Sequence, residues 1–210
     1  MFTGIIQEIG SIKKIEILRQ KRWITIACHS LQSDLQIGES IACNGICLTV
    51  VHFNAESITA EIMDQTLKIT TAQDWHQNTS IHLEKALALS SRLNGHLVQG
   101  HIDTTLPLTN RFTQQGTLYL QFPLPAQFQH LVVEHGSVCL DGVSLTVANL
   151  QPTSFQVALI KHTLEMTHFK TLKINELVNV EFDLIGKYVT RMMQLKQPKV
   201  TETWLAENGF

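Results

Sequence analysis

Ser40-Ile41-Ala42-Cys43-Asn44-Gly45-Ile46-Cys47-Leu48-Thr49-Val50 recurs 97 positions downstream as Ser137-Val138-Cys139-Leu140-Asp141-Gly142-Val143-Ser144-Leu145-Thr146-Val147. At the same offset Thr66-Leu67 meets Thr163-Leu164, Thr70 meets Thr167, and Asn78 meets Asn175. Ile81-His82-Leu83-Glu84 likewise meets Val178-Asn179-Val180-Glu181. Carried to the N-terminus, this register sets Thr3-Gly4-Ile5 against Gly100-His101-Ile102, so that His101 stands opposite Gly4. One short block can match by accident, but several at one spacing mark a duplication. Two copies of whole-domain length do not make a solenoid. The expected form is two like barrels or sandwiches about a pseudo-twofold axis.

Each copy reads as β. Trp23-Ile24-Thr25-Ile26-Ala27, Thr117-Leu118-Tyr119-Leu120-Gln121-Phe122, the run from Ser154 to Ile160 and the run from Leu177 to Phe182 alternate in polarity, as half-buried strands do. Asn44-Gly45 and Asp141-Gly142 are the pairs that favour two-residue hairpin turns with positive φ. Many short strands per copy point to a small closed barrel. Gln65 to Thr71 and its twin His162 to His168 fit short helices. From Gly186 onward, Tyr188, Met192 and Leu195 form an apolar stripe at helical spacing. Pro198 is expected to end that helix, leaving 199–210 as a loosely held tail.

Composition narrows the function. A chain of 210 residues with 44% hydrophobic and 16% charged residues is an ordinary globular protein. Its net charge of −2 supplies no basic field for nucleic acid. No apolar run approaches the ~20 residues of a membrane helix, and the N-terminus lacks the pattern of a signal peptide. The expectation is a cytoplasmic protein. Cys28, Cys43, Cys47 and Cys139 form no Cys-x-x-Cys pair, so reduced thiols and no metal site are expected.

Four blocks in order carry a family resemblance: Met1-Phe2-Thr3-Gly4-Ile5, Cys43 to Val50, Gly95-His96-Leu97-Val98-Gln99-Gly100-His101-Ile102-Asp103, and Asp141 to Val147. Together they closely resemble the riboflavin synthase family. The resemblance implies an all-β fold of two tandem six-stranded Greek-key β-barrels, at 1–97 and 98–186, followed by a C-terminal α-helix and tail at 187–210. It implies a transferase that dismutates two molecules of 6,7-dimethyl-8-ribityllumazine without a cofactor, giving riboflavin and 5-amino-6-ribitylaminouracil. It also implies a homotrimer, with the active site between the N-terminal barrel of one subunit and the C-terminal barrel of the next. Enclosure by a lumazine synthase capsid is left open. The duplication suits this chemistry, because two like substrates require two related but unequal pockets.

By that resemblance Cys47, Ser144, His101, Asp183, Thr49 and Thr146 form the catalytic set. Cys47 and Ser144 are repeat partners, and their divergence matches a reaction in which one lumazine gives carbons and the other accepts them. A thiol acts as base or nucleophile once ionised, whereas a hydroxyl needs assistance. Cysteine is equally a small buried hydrophobe, and Thr49 and Thr146 are equally strand formers. His101 can move protons near neutral pH; His96 has the weaker case, as a residue that orients its loop. Asp183 is either a charged orienting group or a strand-end carboxylate.

The substrate-binding set comprises Phe2, Gly4, Ile5, Ile6, Ser40, Leu48, Glu61, Ile62, Met63, Asp64, Gln65, Thr66, Gly100, Ile102, His135, Leu145, Leu159, Ile160, Lys161, His162 and Thr163. Many of these are expected to act through backbone donors and acceptors that match the uracil-like edge of the ring. Phe2 either closes the pocket or anchors the first strand, and Ser40 with Ser137 could simply cap strands. Gln65 and His162 stand where the family usually has glutamate, and His135 where it commonly has lysine. A non-catalytic lumazine-binding antenna protein of the same fold is the rival reading; retention of Cys47, Ser144, His101 and Asp183 favours the enzyme. A flavin-dependent reductase would need a nucleotide-binding partner domain, and no Gly-x-Gly-x-x-Gly segment opens a helix here.

Overall fold

A computed structural model describes residues 1–18, 21–195 and 205. The first copy contains strands β1 (Glu8–Leu18), β2 (Lys21–Ala27), β3 (Ser40–Cys43), β4 (Ile46–Asn54), β5 (Ser57–Ile62) and β6 (Ser80–Lys85). They close a barrel in the order β1-β2-β5-β4-β3-β6, in which the β2–β5 and β3–β6 neighbours give a Greek-key path. Alternation fills the barrel: Ile46, Leu48 and Val50 point inward from β4 while Cys47, Thr49 and Val51 point out.

The second copy contains β7 (Thr104–Pro107), β8 (Asn110–Gln114), β9 (Thr117–Pro123), β10 (Ser137–Leu140), β11 (Val143–Gln151), β12 (Ser154–Leu159) and β13 (Leu177–Phe182). Their order is β7-β13-β10-β11-β12-β9-β8. This sheet has seven strands where the resemblance implied six. The edge strands β7 and β8 are two pieces of the strand equivalent to β1, parted at Leu108-Thr109, and β1 itself shifts register between Ile12 and Lys14. Ile12 exchanges backbone bonds with Asn78 and Thr79 as Leu108 does with Asn175 and Glu176. The interruption is therefore the β1 bulge carried further.

That equivalence corrects the N-terminal register. Ile12 answers Leu108, one position short of the offset that relates β3 to β10. The connection 28–39 of the first barrel is one residue shorter than its counterpart 124–136, where a short 3₁₀ turn, Gln32–Asp34, becomes the longer Ala126–Leu131. Gly4 thus corresponds to Gly100, and His101 to Ile5.

Short helices follow β5 and β12, α1 (Asp64–Ile69) and α2 (Lys161–Met166). The final helix, α3 (Leu184–Leu195), begins just before the segment expected from Gly186. The expected stop at Pro198 lies outside the described residues, as does the tail 199–210 apart from Leu205. No helix among the described residues is long and apolar enough to cross a membrane.

Each barrel encloses its own apolar core, and a third cluster of Phe2, Ala42, Val98 and Cys139 joins them. The two hairpin turns meet back to back at this seam. Asn44 and Gly45 have φ of 44° and 78°, Asp141 and Gly142 of 43° and 82°. A Cβ on Gly45 would lie 2.6 Å from the Gly142 nitrogen, and one on Gly142 2.7 Å from the Gly45 nitrogen.

A buried polar cluster flanks the turns with the same symmetry. The Asn179 side chain accepts from the Thr71 N–H at 2.8 Å and donates to the Asn44 carbonyl at 2.9 Å. Its repeat partner His82 accepts at Nε2 from the His168 N–H at 2.9 Å, which leaves Nδ1 to donate to the Asp141 carbonyl at 2.9 Å. His82 is therefore neutral. Burial first, and the His168 ring stacked 3.8 Å away second, hold its pKa well below the ordinary histidine value. The depressed pKa means that the unfolded chain takes up this proton first. Its contribution to stability is full above about pH 6.5 and is lost as the pH falls, at up to about 1.4 kcal/mol per pH unit. His82→Asn reproduces the bonding that Asn179 makes. Between pH 7 and pH 5 the variant is expected to lose less stability than the parent in urea unfolding; equal losses would mean that His82 is not held neutral.

Candidate functional site

The first residue to point outward after each turn is Cys47 on β4 and Ser144 on β11. A glycine loop from near the start of the opposite barrel lies on each. The Cys47 N–H donates to the Gly100 carbonyl at 2.9 Å, and the Ser144 N–H donates to the Gly4 carbonyl at 2.7 Å. Gly100 and Gly4 have φ of 82° and 76°. A Cβ on Gly100 would lie 2.5 Å from the Cys47 Cβ, and one on Gly4 2.6 Å from the Ser144 Cβ. No side chain fits either position.

Cys47 opens into a recess of about 220 Å³ that it shares with Ile46, Met63, Gln65, Thr66, Ile69, Thr70, Gly100, His101 and Ile102. Seven of the ten residues, all but Ile46, Ile69 and Thr70, are candidates from the sequence. The equivalent positions on the second barrel are Val143, Ser144, Ile160, His162, Thr163, Met166 and Thr167, with Gly4 and Ile5 in place of Gly100 and His101. His101 thus has an apolar counterpart, and the two surfaces differ chemically. The departures Gln65 and His162 occupy matched places on α1 and α2.

Ser144 differs from Cys47 in a second way. Its Oγ lies 2.7 Å from His96 Nδ1, while His96 Nε2 is buried without a partner. Burial lowers the His96 pKa, and the carboxylate of Asp183 opposes that shift. His96, weighed from sequence only as a loop-orienting residue, is the imidazole in contact with Ser144. Its signal was its place in the Gly95-to-Asp103 block. Asp183 also accepts from the Ile185 N–H at 2.9 Å, capping α3. Asp183 therefore stands just past the end of β13, at the start of α3.

The other candidates divide by burial. Thr49 and Thr146 are exposed on the same strand faces as Cys47 and Ser144, paired across the hairpins with Ser40 and Ser137. Ile6, Leu48, Ile62, Leu145 and Leu159 turn their side chains into the cores, so only their backbones are available to a ligand. Phe2 is 0% exposed and bridges Val98. It anchors the seam against which Cys47 packs, with its ring enclosed. Glu61 pairs with Lys21 at 2.7 Å. Asp64, Ile160 and Lys161 are exposed at the helix starts. His135 is exposed at φ 64° in a place where the first barrel has Gly38 at φ 93°.

The catalytic set does not converge in one chain. Cys47 and His101 line one recess, while Ser144, His96 and Asp183 belong to the other side of the seam. Missed from sequence altogether were Glu84 and Glu181, the buried carboxylates beneath the two glycine loops. Their signal was identity at matched repeat positions.

A Lumazine binding domain model matches the chain twice, over residues 3–86 and 99–183. The riboflavin synthase of Bacillus subtilis (strain 168) is 36% identical over 215 residues, covering 100% of both chains. That of Mycobacterium tuberculosis (strain ATCC 25618 / H37Rv) is 38% identical over 198 residues, covering 92% of this chain and 98% of its own. Among solved structures, LumP complexed with riboflavin superposes with a TM-score of 0.79 at 23% identity, over 87% of this chain and 99% of that one. LumP complexed with 6,7-dimethyl-8-(1'-D-ribityl) lumazine gives 0.77 at 22% identity, with the same coverage. At that identity the likeness is one of fold.

Proposed function

The chain belongs to the riboflavin synthase family of lumazine-binding transferases, and from that membership we propose that it dismutates two molecules of 6,7-dimethyl-8-ribityllumazine. A four-carbon unit passes from one lumazine to the other, giving riboflavin and 5-amino-6-ribitylaminouracil. The atoms of two substrates equal those of the two products, so the overall reaction needs no outside oxidant or reductant.

The observation that carries this reading is the pair of matched, unequal surfaces, Gly100 over Cys47 and Gly4 over Ser144. One lumazine lies on each. One lumazine must lose a proton from its C7 methyl group and the other must take a nucleophile at C7, so an equal pair of sites would serve less well. His96 with Ser144 supplies acid–base capacity on one side, and Cys47 with His101 on the other.

The Cys47 recess includes no residue of the Ser144 side, which supports a reacting pair drawn from two chains. We place the reacting pair between the N-terminal barrel of one subunit and the C-terminal barrel of a neighbour, in a homotrimer associating through α3. Barrels at 1–97 and 98–186 are the units exchanged in that arrangement. The exposed face of α3, with Ile185, Tyr188, Met192 and Leu195, suits such a contact. Holding both rings in near-attack geometry would supply about 7–11 kcal/mol of the barrier.

The test is direct. The purified protein, incubated with the lumazine alone, is expected to form one riboflavin for every two lumazines consumed, read by absorbance and fluorescence. Cys47→Ala is expected to lower kcat by about 10²-fold while leaving the fold intact by circular dichroism. Binding without turnover in the parent would make the protein a lumazine-binding relative, and near-normal turnover in the variant would remove Cys47 from the chemistry.

A further inference from the structure

The glycine loops that cover Cys47 and Ser144 are each held from below by one buried carboxylate, at matched positions of the repeat. Glu181 accepts from the N–H groups of Gln99 at 2.7 Å, Gly100 at 2.9 Å and His101 at 3.2 Å. Glu84 accepts from the Thr3 N–H at 2.7 Å, the Thr3 hydroxyl at 2.6 Å and the Gly4 N–H at 3.0 Å. Both side chains are buried, at 1% and 3% exposure, and neither forms an ion pair among the described residues. An unpaired buried carboxylate is costly unless several donors converge on it. Here they converge because consecutive N–H groups around a left-handed glycine all point the same way.

The opposite side of each glycine peptide carries the consequence. With its N–H fixed on the carboxylate, Gly100 turns its carbonyl to the Cys47 N–H, and Gly4 turns its carbonyl to the Ser144 N–H. A relay runs from Glu181 through Gly100 to Cys47, and another from Glu84 through Gly4 to Ser144. Each Glu lies on the last strand of one barrel, yet its relay ends on the hairpin of the other.

We infer that Glu84 and Glu181 are separate positioning residues, each setting the geometry of one lumazine surface, Glu181 that of Cys47 and Glu84 that of Ser144. Neither touches substrate. The inference rests on the two-surface reading of the function, but it concerns which residue governs which surface. The ring edge bound by backbone groups at 100–102 or 4–6 moves with the clamped loop, and hydrogen bonds to a carboxylate are strong enough to hold it.

The experiment uses the full-length protein and riboflavin as the probe, titrated by fluorescence quenching, with amide hydrogen exchange beside it. In Glu181→Gln one class of riboflavin site is expected to weaken about tenfold or more while the other keeps the parent affinity. The Gly100 and His101 amides exchange faster and that of Gly4 does not. Glu84→Gln gives the mirror result, affecting Gly4 and the other class of site. Should either variant fail to fold, Thr3→Val removes one donor to Glu84 and leaves the carboxylate two others. It is expected to weaken only the class of site that answers to Glu84, and to speed exchange at Gly4 and at Ile5, whose N–H donates to the Thr3 hydroxyl at 3.3 Å, while Gly100 and His101 are unchanged. Equal weakening of both classes, or no weakening in any variant, overturns the inference. Lack of turnover by the parent would count against the enzymatic reading alone, since riboflavin binding is measured without it.

Discussion

Gly142→Ala is expected to destabilise the protein by about 2–5 kcal/mol. An L residue at positive φ costs about 1–2 kcal/mol, and Gly142 has φ of 82°. Its new Cβ would also lie 2.7 Å from the backbone nitrogen of Gly45, in the facing turn. A side chain could swing away from such a contact, but a backbone tied into two barrels cannot. Overpacking of that kind adds about 1–3 kcal/mol. Gly38→Ala is the control: φ is 93° and no atom lies within 4 Å of the added Cβ. It should cost only the conformational part. Urea midpoints measured at a common slope separate the two, and similar shifts for both variants would mean that the hairpin turns do not meet.

Gly100→Ala is expected to reduce kcat/KM by about 10²-fold or more. The clash here is with the Cys47 Cβ at 2.5 Å, inside the proposed lumazine surface and not behind it. Relief requires the loop carrying His101 to move by roughly 1 Å, and displacement of that size costs about 10²-fold where two reactants must be held in line. Gly4→Ala should do the same from the Ser144 side, where the clash is 2.6 Å. In the proposed reaction a turnover consumes two lumazines, so damage to either surface is sufficient. Steady-state kinetics beside a thermal melt distinguishes this from unfolding. Full activity in Gly100→Ala would show that the loop does not form part of the reactive surface.

The depressed pKa of His82 and the Asn44-Gly45 and Asp141-Gly142 turns belong to the same seam, which the repeat made visible only in part. Asn179 and His82 occupy matched positions in the sequence. That both accept from a backbone N–H and donate to a turn carbonyl follows from the packing of one barrel on the other.

Local sequence determined the doubling, the strand faces and the turns. Alternation at period two places Cys47 beside Thr49 and Ser144 beside Thr146 on outward faces whatever the rest of the chain does. Asn-Gly and Asp-Gly set tight hairpins through the φ values they tolerate. The tertiary structure alone decided the rest. An extra residue between β9 and β10 moved the N-terminal equivalence by one position, which brought Gly4 into line with Gly100 and gave His101 an apolar twin. Surface connections absorb such insertions with little energetic consequence, so no local pattern records them. The crossing of each glycine loop onto the other barrel, the separation of Cys47 from Ser144, the His96 contact and the two carboxylate clamps all join residues about 50 to 80 or more positions apart in the chain. Periodicity reports which face a residue takes on its own strand. Which distant backbone closes against that face depends on how two complete barrels pack.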